Sequence, residues 1–189
     1  MPVTRSQPLS LPELRGLVAG RVIGPGDEGY DAARGVVNGL FDRRPAAIVR
    51  VANAEDVVRV VGLARRTGLE LAVRSGGHSP AGHSTTDGGI VLDLSALKAI
   101  EIDEKAGTAW VESGVVAGEL ARATAAHGMA VPLGDTGSVG IGGLTLSGGV
   151  GYLVRKHGLT IDSLLAAELV TADGRPPPWH ARRARAHTH

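Results

Sequence analysis

The spacing of hydrophobic residues predicts a strand followed by a helix near the start of the chain. The run AAIVRVA at residues 46–52 is apolar apart from one arginine and rich in β-branched side chains, which is typical of a buried strand. In the next segment, NAEDVVRVVGLARRTG, apolar residues recur at helical spacing, at Val57, Val60, Val61 and Ala64. Asn53 is placed to cap this helix and Gly68 to end it.

A second strand, LELAVRS at residues 69–75, completes a βαβ unit. Such a crossover implies that the two strands run parallel. The stretch VRSGGHSPAG, residues 73–82, therefore follows the carboxyl end of a parallel strand. Crevices at these ends are where α/β sheets bind ligands.

The pattern changes beyond this loop. Short strands joined by tight turns are predicted at residues 88–95, 98–103 and 107–113, with DEKAG as a hairpin loop. A helix is predicted in AGELARATAAHG, and Gly128 ends it. The last predicted element is a strand in LLAAELVTADG, residues 164–174, that runs into an Asp-Gly turn.

Composition limits the class of protein. The 189 residues suffice for one ordinary domain, alone or with a small appendage, and 43% apolar residues can fill a core, which excludes a disordered chain. The absence of cysteine excludes disulfides, thiolate metal sites and a cysteine nucleophile, and we expect a cytoplasmic protein. No run resembles a signal peptide or a membrane span, so no membrane partner is expected.

The net charge of +1 conceals a difference between the body of the chain and its tail. Residues 1–174 carry 16 basic and 19 acidic side chains, whereas RPPPWHARRARAHTH, residues 175–189, holds four arginines and no acid. A mildly acidic body argues against a nucleic-acid partner. The tail therefore differs from the body of the chain in both charge and composition.

Glycine is concentrated in two segments, residues 75–82 and 134–151. Because glycine lets backbone N–H groups converge on phosphate oxygens, the pair indicates an elongated anionic ligand. The alternative is that these are only turns of a chain with 28 glycines, and composition leaves both readings open. The chain has no GxxxxGK[ST], and these two segments give no GxGxxG, which argues against a P-loop nucleotidase and a Rossmann dinucleotide site.

Several separate motifs together resemble one family. AAIVRVANAEDVVRVV, VRSGGHSPAG, DGGIVLDLSALKAIEID and TGSVGIGGLTLSGGVGYLVRKHGLTIDSLLAAELVTADG occur in this order. They are similar to the flavin-binding domain of the vanillyl-alcohol oxidase and p-cresol methylhydroxylase family, in its berberine bridge enzyme and 6-hydroxy-D-nicotine oxidase branch. The resemblance implies a two-lobed α+β fold, with a small α/β lobe of parallel strands and a mixed or antiparallel β lobe with helices.

The resemblance also implies the cofactor. FAD would lie between the lobes, with its pyrophosphate held by the two glycine segments, and His78 would be covalently attached to the flavin 8α-methyl carbon. A neutral imidazole nitrogen is capable of this bond. Many relatives attach the flavin a second time through the cysteine of a CPTVG pattern, but the aligned TGSVG has Thr136 at that position. A single attachment is therefore expected.

The cofactor-binding residues that the resemblance implies are His78, Arg74, Ser75, Gly76, Gly77, Ser79, Gly82, Thr136, Ser138, Val139, Gly140, Gly142, Gly143 and Val170. Two assignments stay open. Arg74 supports the pyrophosphate or the loop, or is a surface charge at the end of a strand. A further group of glycines either contacts the cofactor or lets the next segment pack tightly: Gly148, Gly149 and Gly151.

Other polar residues have plain explanations. His83 follows His78 by five residues, but a loop gives this pair no fixed geometry and no carboxylate cluster accompanies it, so no metal site is expected. His127 and His157 suit solvent or helix-dipole roles. Three aspartates either orient groups near the flavin or serve turns and caps: Asp87, Asp93 and Asp162.

The predicted organisation has three parts. Residues 1–44 form a helical or extended lead-in, residues 45–174 the FAD-binding domain, with lobes at about 45–104 and 105–174, and residues 175–189 the tail. The family implies oxidation of a small-molecule substrate and reoxidation by dioxygen. Its substrate domain has no counterpart in this sequence, and the catalytic base and substrate are unknown.

The end of the chain raises further hypotheses. Where the return strand after VTADG is expected, the chain has three consecutive prolines, which cannot donate to a strand ladder. Together with the change in composition, these prolines suggest a reading frame lost near Arg175 or a truncated gene. From the family resemblance we expect a flavin oxidase module that lacks its substrate domain. The alternatives are an inactive truncated or frameshifted fragment, and one half of a split oxidase completed by a partner chain.

Overall fold

The main sheet has four strands, and short helices connect and cover them. The computed structural model describes residues 9–173, so the predicted tail at residues 175–189 lies outside the described residues. The helices are Leu11–Leu17 (α1), Tyr30–Arg34 (α2), Ala54–Thr67 (α3), Ala117–Ala125 (α4), Ile141–Leu146 (α5) and Val154–His157 (α6), and a 3₁₀ turn spans Ile161–Ser163. The strands are Arg21–Ile23 (β1), Ala47–Arg50 (β2), Leu71–Arg74 (β3), Ile90–Asp93 (β4), Ile100–Asp103 (β5) and Thr108–Val111 (β6).

The predicted βαβ unit is present, with one more strand inserted in it. β2 and β3 are parallel, but each pairs with β4, and the sheet order is β1-β2-β4-β3. All four residues of β4 are buried. A strand that is buried on both faces belongs in the middle of a parallel sheet covered on both sides. The strand predicted at residues 88–95 is therefore the central one.

Helix α3 follows its sequence signals closely. The Asn53 side chain accepts a hydrogen bond from the Asp56 backbone N–H, and Gly68 ends the helix in the left-handed conformation, at φ +68°. Val60 and Ala64 are buried against the sheet, in one core with Val49 and Leu92. The apolar stripe of the helix is thus the face that covers the parallel strands.

The lead-in contributes to the sheet, which its sequence does not reveal. β1 pairs with β2 antiparallel, and α1 packs Leu14 into the same core. The buried carboxylate of Asp56 joins these parts by accepting backbone hydrogen bonds from Ala19 at 2.8 Å, Gly20 at 2.9 Å and Ala52 at 3.0 Å. Burial alone raises the pKa of Asp56, but these bonds outweigh it and the pKa is lowered.

A second, smaller unit contains β5, β6 and helix α4. β5 and β6 form the predicted antiparallel hairpin around residues 104–107. This hairpin spans residue 104, where the boundary between the two lobes is expected, and the boundary itself stays a prediction. Helix α4 is confirmed and packs Leu120 onto Val115 and Leu133. None of the helices in residues 9–173 is long and apolar enough to cross a membrane.

The strand predicted at residues 164–174 is wrong. Residues 164–170 have no regular secondary structure, and a turn follows them. A strand needs a neighbour for its ladder, and none of the described strands pairs with this segment. The second glycine segment also differs from a simple loop, since residues 141–146 form α5.

Candidate functional site

A cleft opens at the carboxyl ends of the three parallel strands. The register aligns Arg50 of β2 and Arg74 of β3 with Asp93 of β4, so all three side chains meet at this edge. They line a cleft of about 390 Å³, together with residues 75–77 of the first glycine segment and residues of the chain after α2. The predicted position of VRSGGHSPAG at the end of a parallel strand is confirmed. The cleft is the crevice that was expected at this edge of the sheet.

A buried ion pair forms the floor of the cleft. The Arg74 guanidinium lies 3.1 Å from the Asp93 carboxylate, with side chains 7% and 3% exposed, and it also donates to the carbonyls of Ala33 and Gly35. Arg74 is therefore not a surface charge, because it ties β3 to β4 and to the end of α2. Arg50 approaches the same carboxylate to 3.3 Å.

The charges around Asp93 keep it ionised. Its burial raises the pKa, but the Arg74 charge, the hydrogen bonds from Ser95 and the Arg50 charge outweigh that effect, and the pKa of Asp93 is lowered. Two guanidinium groups face this one carboxylate, so the side chains at the cleft floor carry a net positive charge. Of the three guanidinium nitrogens of Arg50, only Nε makes a hydrogen bond within residues 9–173. Its terminal N–H groups are therefore available to a ligand.

The two glycine segments touch each other. A Cβ on Gly140 would lie 2.3 Å from the Gly76 backbone nitrogen and 2.1 Å from the Ser75 hydroxyl oxygen. Only glycine allows this approach, since real side-chain contacts are never so short. The Ser75 hydroxyl donates to the carbonyl of Ser113, which fastens the first segment to the second unit. Two segments separated by about sixty residues thus form one continuous surface.

The second segment is held at the start of α4. The N–H groups of Ala117 and Gly118 donate to the carbonyls of Val139 and Gly137, each at 2.8 Å, and Ile141 N–H donates to the carbonyl of Val115. This ladder fixes the backbone around Ser138. The loop is therefore positioned by backbone bonds rather than by its own few side chains.

His78 lies where the two segments meet. Its Nε2 is 3.0 Å from the hydroxyl oxygen of Ser138. The imidazole is half-buried, whereas Ser138 is exposed. The predicted attachment residue thus contacts one of the residues predicted in the other glycine segment.

The remaining predicted residues divide into two sets. Ser79 and Gly82 lie in the turn beyond His78, where the Ser79 hydroxyl accepts from the N–H of His83, and Arg43 donates to the carbonyl of Gly82. The rest of the second segment lies on either side of Ser138, at Thr136, Val139, Gly142 and Gly143. Within the described residues, no hydrogen bond links Val170 to either glycine segment.

Two of the glycines left open by the sequence pack tightly. A Cβ on Gly149 would lie 2.1 Å from the Thr160 hydroxyl, and one on Gly151 would lie 1.7 Å from the Leu133 carbonyl oxygen. These contacts support the packing alternative for both positions. A GxGxxG spacing does occur at residues 24–29, but it lies between the antiparallel strand β1 and the five-residue helix α2 rather than in a βαβ unit.

Sequence reasoning missed two features of the site. No motif singles out Arg50, and the sequence does not predict that the Ser138 hydroxyl contacts His78. For Asp93 the sequence allows a turn role as well as a role near the flavin. The signal was present for Asp93, because a carboxylate that ends the apolar run IVL at a sheet edge needs a cationic partner.

The other histidines within residues 9–173 lie outside the cleft. His127 contacts Glu104 at 2.5 Å, His157 lies in α6, and His83 is exposed. Asp162 accepts from the Leu159 N–H and so serves a turn, whereas Asp87 accepts from the Arg44 N–H and joins two segments that are distant in sequence. In the described part of the chain, no group of three or more metal-ligating side chains comes together.

Comparison with known proteins identifies similar chains. Residues 45–176 match the family described as FAD binding domain. The chain is 45% identical over 157 residues to (R)-6-hydroxynicotine oxidase of Paenarthrobacter nicotinovorans, covering 83% of this chain and 34% of that protein. It is 40% identical over 138 residues to berberine bridge enzyme-like 14 of Arabidopsis thaliana, covering 70% of this chain and 26% of that protein.

Solved structures agree with these relatives. The crystal structure of 6-hydroxy-D-nicotine oxidase from Arthrobacter nicotinovorans superposes with a TM-score of 0.82 at 45% identity, over 84% of this chain and 35% of that one. The berberine bridge enzyme-like 1 protein of Physcomitrella patens gives a TM-score of 0.83 at 32% identity, over 88% of this chain and 37% of that one. These likenesses confirm the predicted fold class and family branch. The chain spans between about a quarter and about a third of the length of these two relatives.

Proposed function

The chain belongs to the FAD binding domain family of FAD-linked oxidoreductases, and from this premise we propose that it holds FAD through a single bond to His78. FAD is the cofactor that the family and its FAD-linked relatives assign. One observation carries the proposal: two distant glycine segments meet at Gly76 and Gly140, with the His78 imidazole beside the junction.

The cleft suits the anionic part of FAD. A pyrophosphate needs several N–H donors and a positive field, because its charges are costly to desolvate without them. The backbone of residues 75–77 and the terminal N–H groups of Arg50 offer these donors, while Arg74 is occupied by Asp93 and two carbonyls. We assign cofactor contact to Arg50 and to those residues of the two glycine segments that the sequence predicts for it, and we assign Arg74 to support of the loop.

His78 would carry the covalent bond. A neutral imidazole has a nitrogen lone pair that attacks an electrophilic carbon, and a fixed ring makes the attack more frequent. Thr136, at the position of the second attachment in many relatives, carries a hydroxyl that cannot replace a thiolate in that bond. The chain has no cysteine, so one bond is the expected number.

The bound flavin would accept two electrons from a small-molecule substrate and pass them to dioxygen. Two relatives support this reaction class: (R)-6-hydroxynicotine oxidase and an FAD-linked oxidoreductase of Bacillus subtilis. The lack of cysteine supports a reducing compartment such as the cytoplasm.

Acid denaturation tests the proposal. The purified chain is incubated with FAD, precipitated with acid and washed, and the flavin absorbance of the pellet is measured. We expect a yellow pellet for the natural sequence and for His83→Ala, a control histidine in the same loop, and a colourless one for His78→Ala. A colourless pellet from the natural sequence, or a yellow one from His78→Ala, contradicts the proposal.

A further inference from the structure

The hydroxyl of Ser138 is the polar group that the structure brings to the His78 ring. The Nε2 atom lies 3.0 Å from Ser138 Oγ, and within residues 9–173 no hydrogen bond engages Nδ1. The two nitrogens of this imidazole are therefore in different surroundings. Which of them carries the proton depends on the bond that the other makes.

The position of Ser138 is set by its backbone. Its neighbours Gly137 and Val139 both accept hydrogen bonds from the start of α4, so the serine is held from both sides. The contact between Gly76 and Gly140 fixes the distance between the two segments. Ser138 thus faces His78 because the fold places it there, not because a flexible side chain reaches across.

Of the two neutral tautomers, only one leaves a nitrogen free for bond formation. If Nε2 accepts from the hydroxyl, Nδ1 carries the proton, and the single in-plane lone pair, on Nε2, is engaged in the hydrogen bond. If Nε2–H donates to Ser138 Oγ, the Nδ1 lone pair is free. The exposed hydroxyl can still donate its own hydrogen to water, so this arrangement leaves no group unsatisfied.

We propose that Ser138 is a positioning residue that holds His78 in the Nε2–H tautomer and directs Nδ1 to the flavin. This rests on the proposed function. In the step, Nδ1 bonds to the 8α carbon, which loses one hydrogen as a proton, and the imidazole loses its Nε2 proton through Ser138 to water. The two electrons from the broken C–H bond reduce the flavin, and dioxygen removes them with two protons as hydrogen peroxide.

Three variants test this role. Ser138→Ala removes the hydrogen-bond acceptor, Ser138→Thr keeps a hydroxyl, and Ser147→Ala is the control. Ser147 is an exposed serine at the end of α5, in the same segment, and its side chain makes no hydrogen bond in the described residues. The rate at which acid-stable flavin forms after FAD is added is measured for each.

Two further readouts would not respond to a purely structural role. Nitrogen-15 NMR of the His78 ring, before FAD is added and at alkaline pH, reports its tautomer. NMR of the isolated flavin peptide reports which nitrogen is bonded. We expect Nε2–H and Nδ1 attachment in the natural sequence, and mixed tautomers in Ser138→Ala. Its linkage should slow by about two- to tenfold, the value of one hydrogen bond, with recovery in Ser138→Thr.

The possible failures are distinguishable. If the natural sequence retains no acid-stable flavin, the proposed function is overturned and the inference with it. If flavin is retained but Ser138→Ala behaves like Ser147→Ala in rate and tautomer, only the inference is overturned. Attachment through Nε2 in the natural sequence has the same consequence.

Discussion

The two glycine segments rest on very different supports. The first follows β3, in a sheet whose central residues Ile48 and Val91 are fully buried. The second lies over a small core around Leu120, and large apolar side chains near it are open to solvent, with Leu146 78% and Tyr152 87% exposed. One half of the site is therefore built into the main core, and the other is attached at its surface.

This difference assigns separate roles to the two halves. The ion pair between Arg74 and Asp93 anchors the first segment, so His78 lies shortly after the fixed end of β3. The second segment is held by backbone hydrogen bonds at the start of α4, and it meets the first segment at Gly140 and Ser138. Damage to the main core should remove the whole fold, whereas damage at the junction should remove the site and leave the sheet.

The largest effect is expected for Asp93→Ala. The change leaves the buried Arg74 guanidinium without its charged partner, which should lower the free energy of unfolding by about 3–5 kcal/mol. Urea unfolding followed by circular dichroism measures it. Removing both charges, with Arg74→Met and Asp93→Leu together, should cost less than Asp93→Ala alone. An Asp93→Ala loss below about 1 kcal/mol contradicts an anchoring role for the pair.

Matched truncations compare the two regions directly. Ile48→Ala, at a fully buried position, should lower the free energy of unfolding by about 2–5 kcal/mol. Leu146→Ala, at a position 78% exposed, should change it by no more than about 0.5 kcal/mol. Equal losses in urea unfolding would show that Leu146 is covered in solution and that the two regions are alike.

At the junction, Gly140→Ala should affect the site more than the fold. Its Cβ would overlap the backbone of Gly76, and the strain should cost about 1–3 kcal/mol and sharply reduce flavin retention after acid treatment. Gly137→Ala is the matched control in the same segment, since its Cβ would meet the Gly118 Cα at an ordinary 3.5 Å. Equal retention in both variants argues against close contact between the segments.

The last prediction concerns the pH dependence of stability. The folded-state pKa of Asp56 is lowered from 3.8, so its contribution to stability is present above that value and is lost as pH falls through the folded-state pKa. Asp56→Asn, which turns an amide towards backbone donors, should cost about 1–3 kcal/mol at pH 7 and less at pH 3. Thermal unfolding measures the stability of both chains. If Asp56→Asn loses the same stability at pH 7 and at pH 3, the stabilising role of the ionised Asp56 carboxylate is contradicted.

Local signals in the sequence predicted the parts of the fold that depend on neighbours along the chain. The Asn53 cap, the apolar stripe of α3 and the Gly68 stop were all readable. Non-local pairing was not: β1 is three residues long, and its addition to the sheet depends on a partner far along the chain. Residues 164–170 show the opposite case, where an apolar run without a strand partner does not form a strand.

The site divides in the same way. The glycine segments and His78 were identified by motif, and the structure brings them together. Arg50 and the Ser138 hydroxyl could not be assigned from sequence, because their roles arise only when the strand ends are in register and the loops touch. Asp93 had a readable signal, but its partners became clear only from the sheet order.

Mass spectrometry of the chain after incubation with FAD tests the assignment of His78 most directly. Under denaturing conditions, the chain should gain the mass of FAD less two hydrogens. Trypsin should release that added mass on the peptide of residues 75–98, with fragmentation locating it at His78. A chain that keeps the mass of the polypeptide alone, or that carries the flavin on any other residue, contradicts the account.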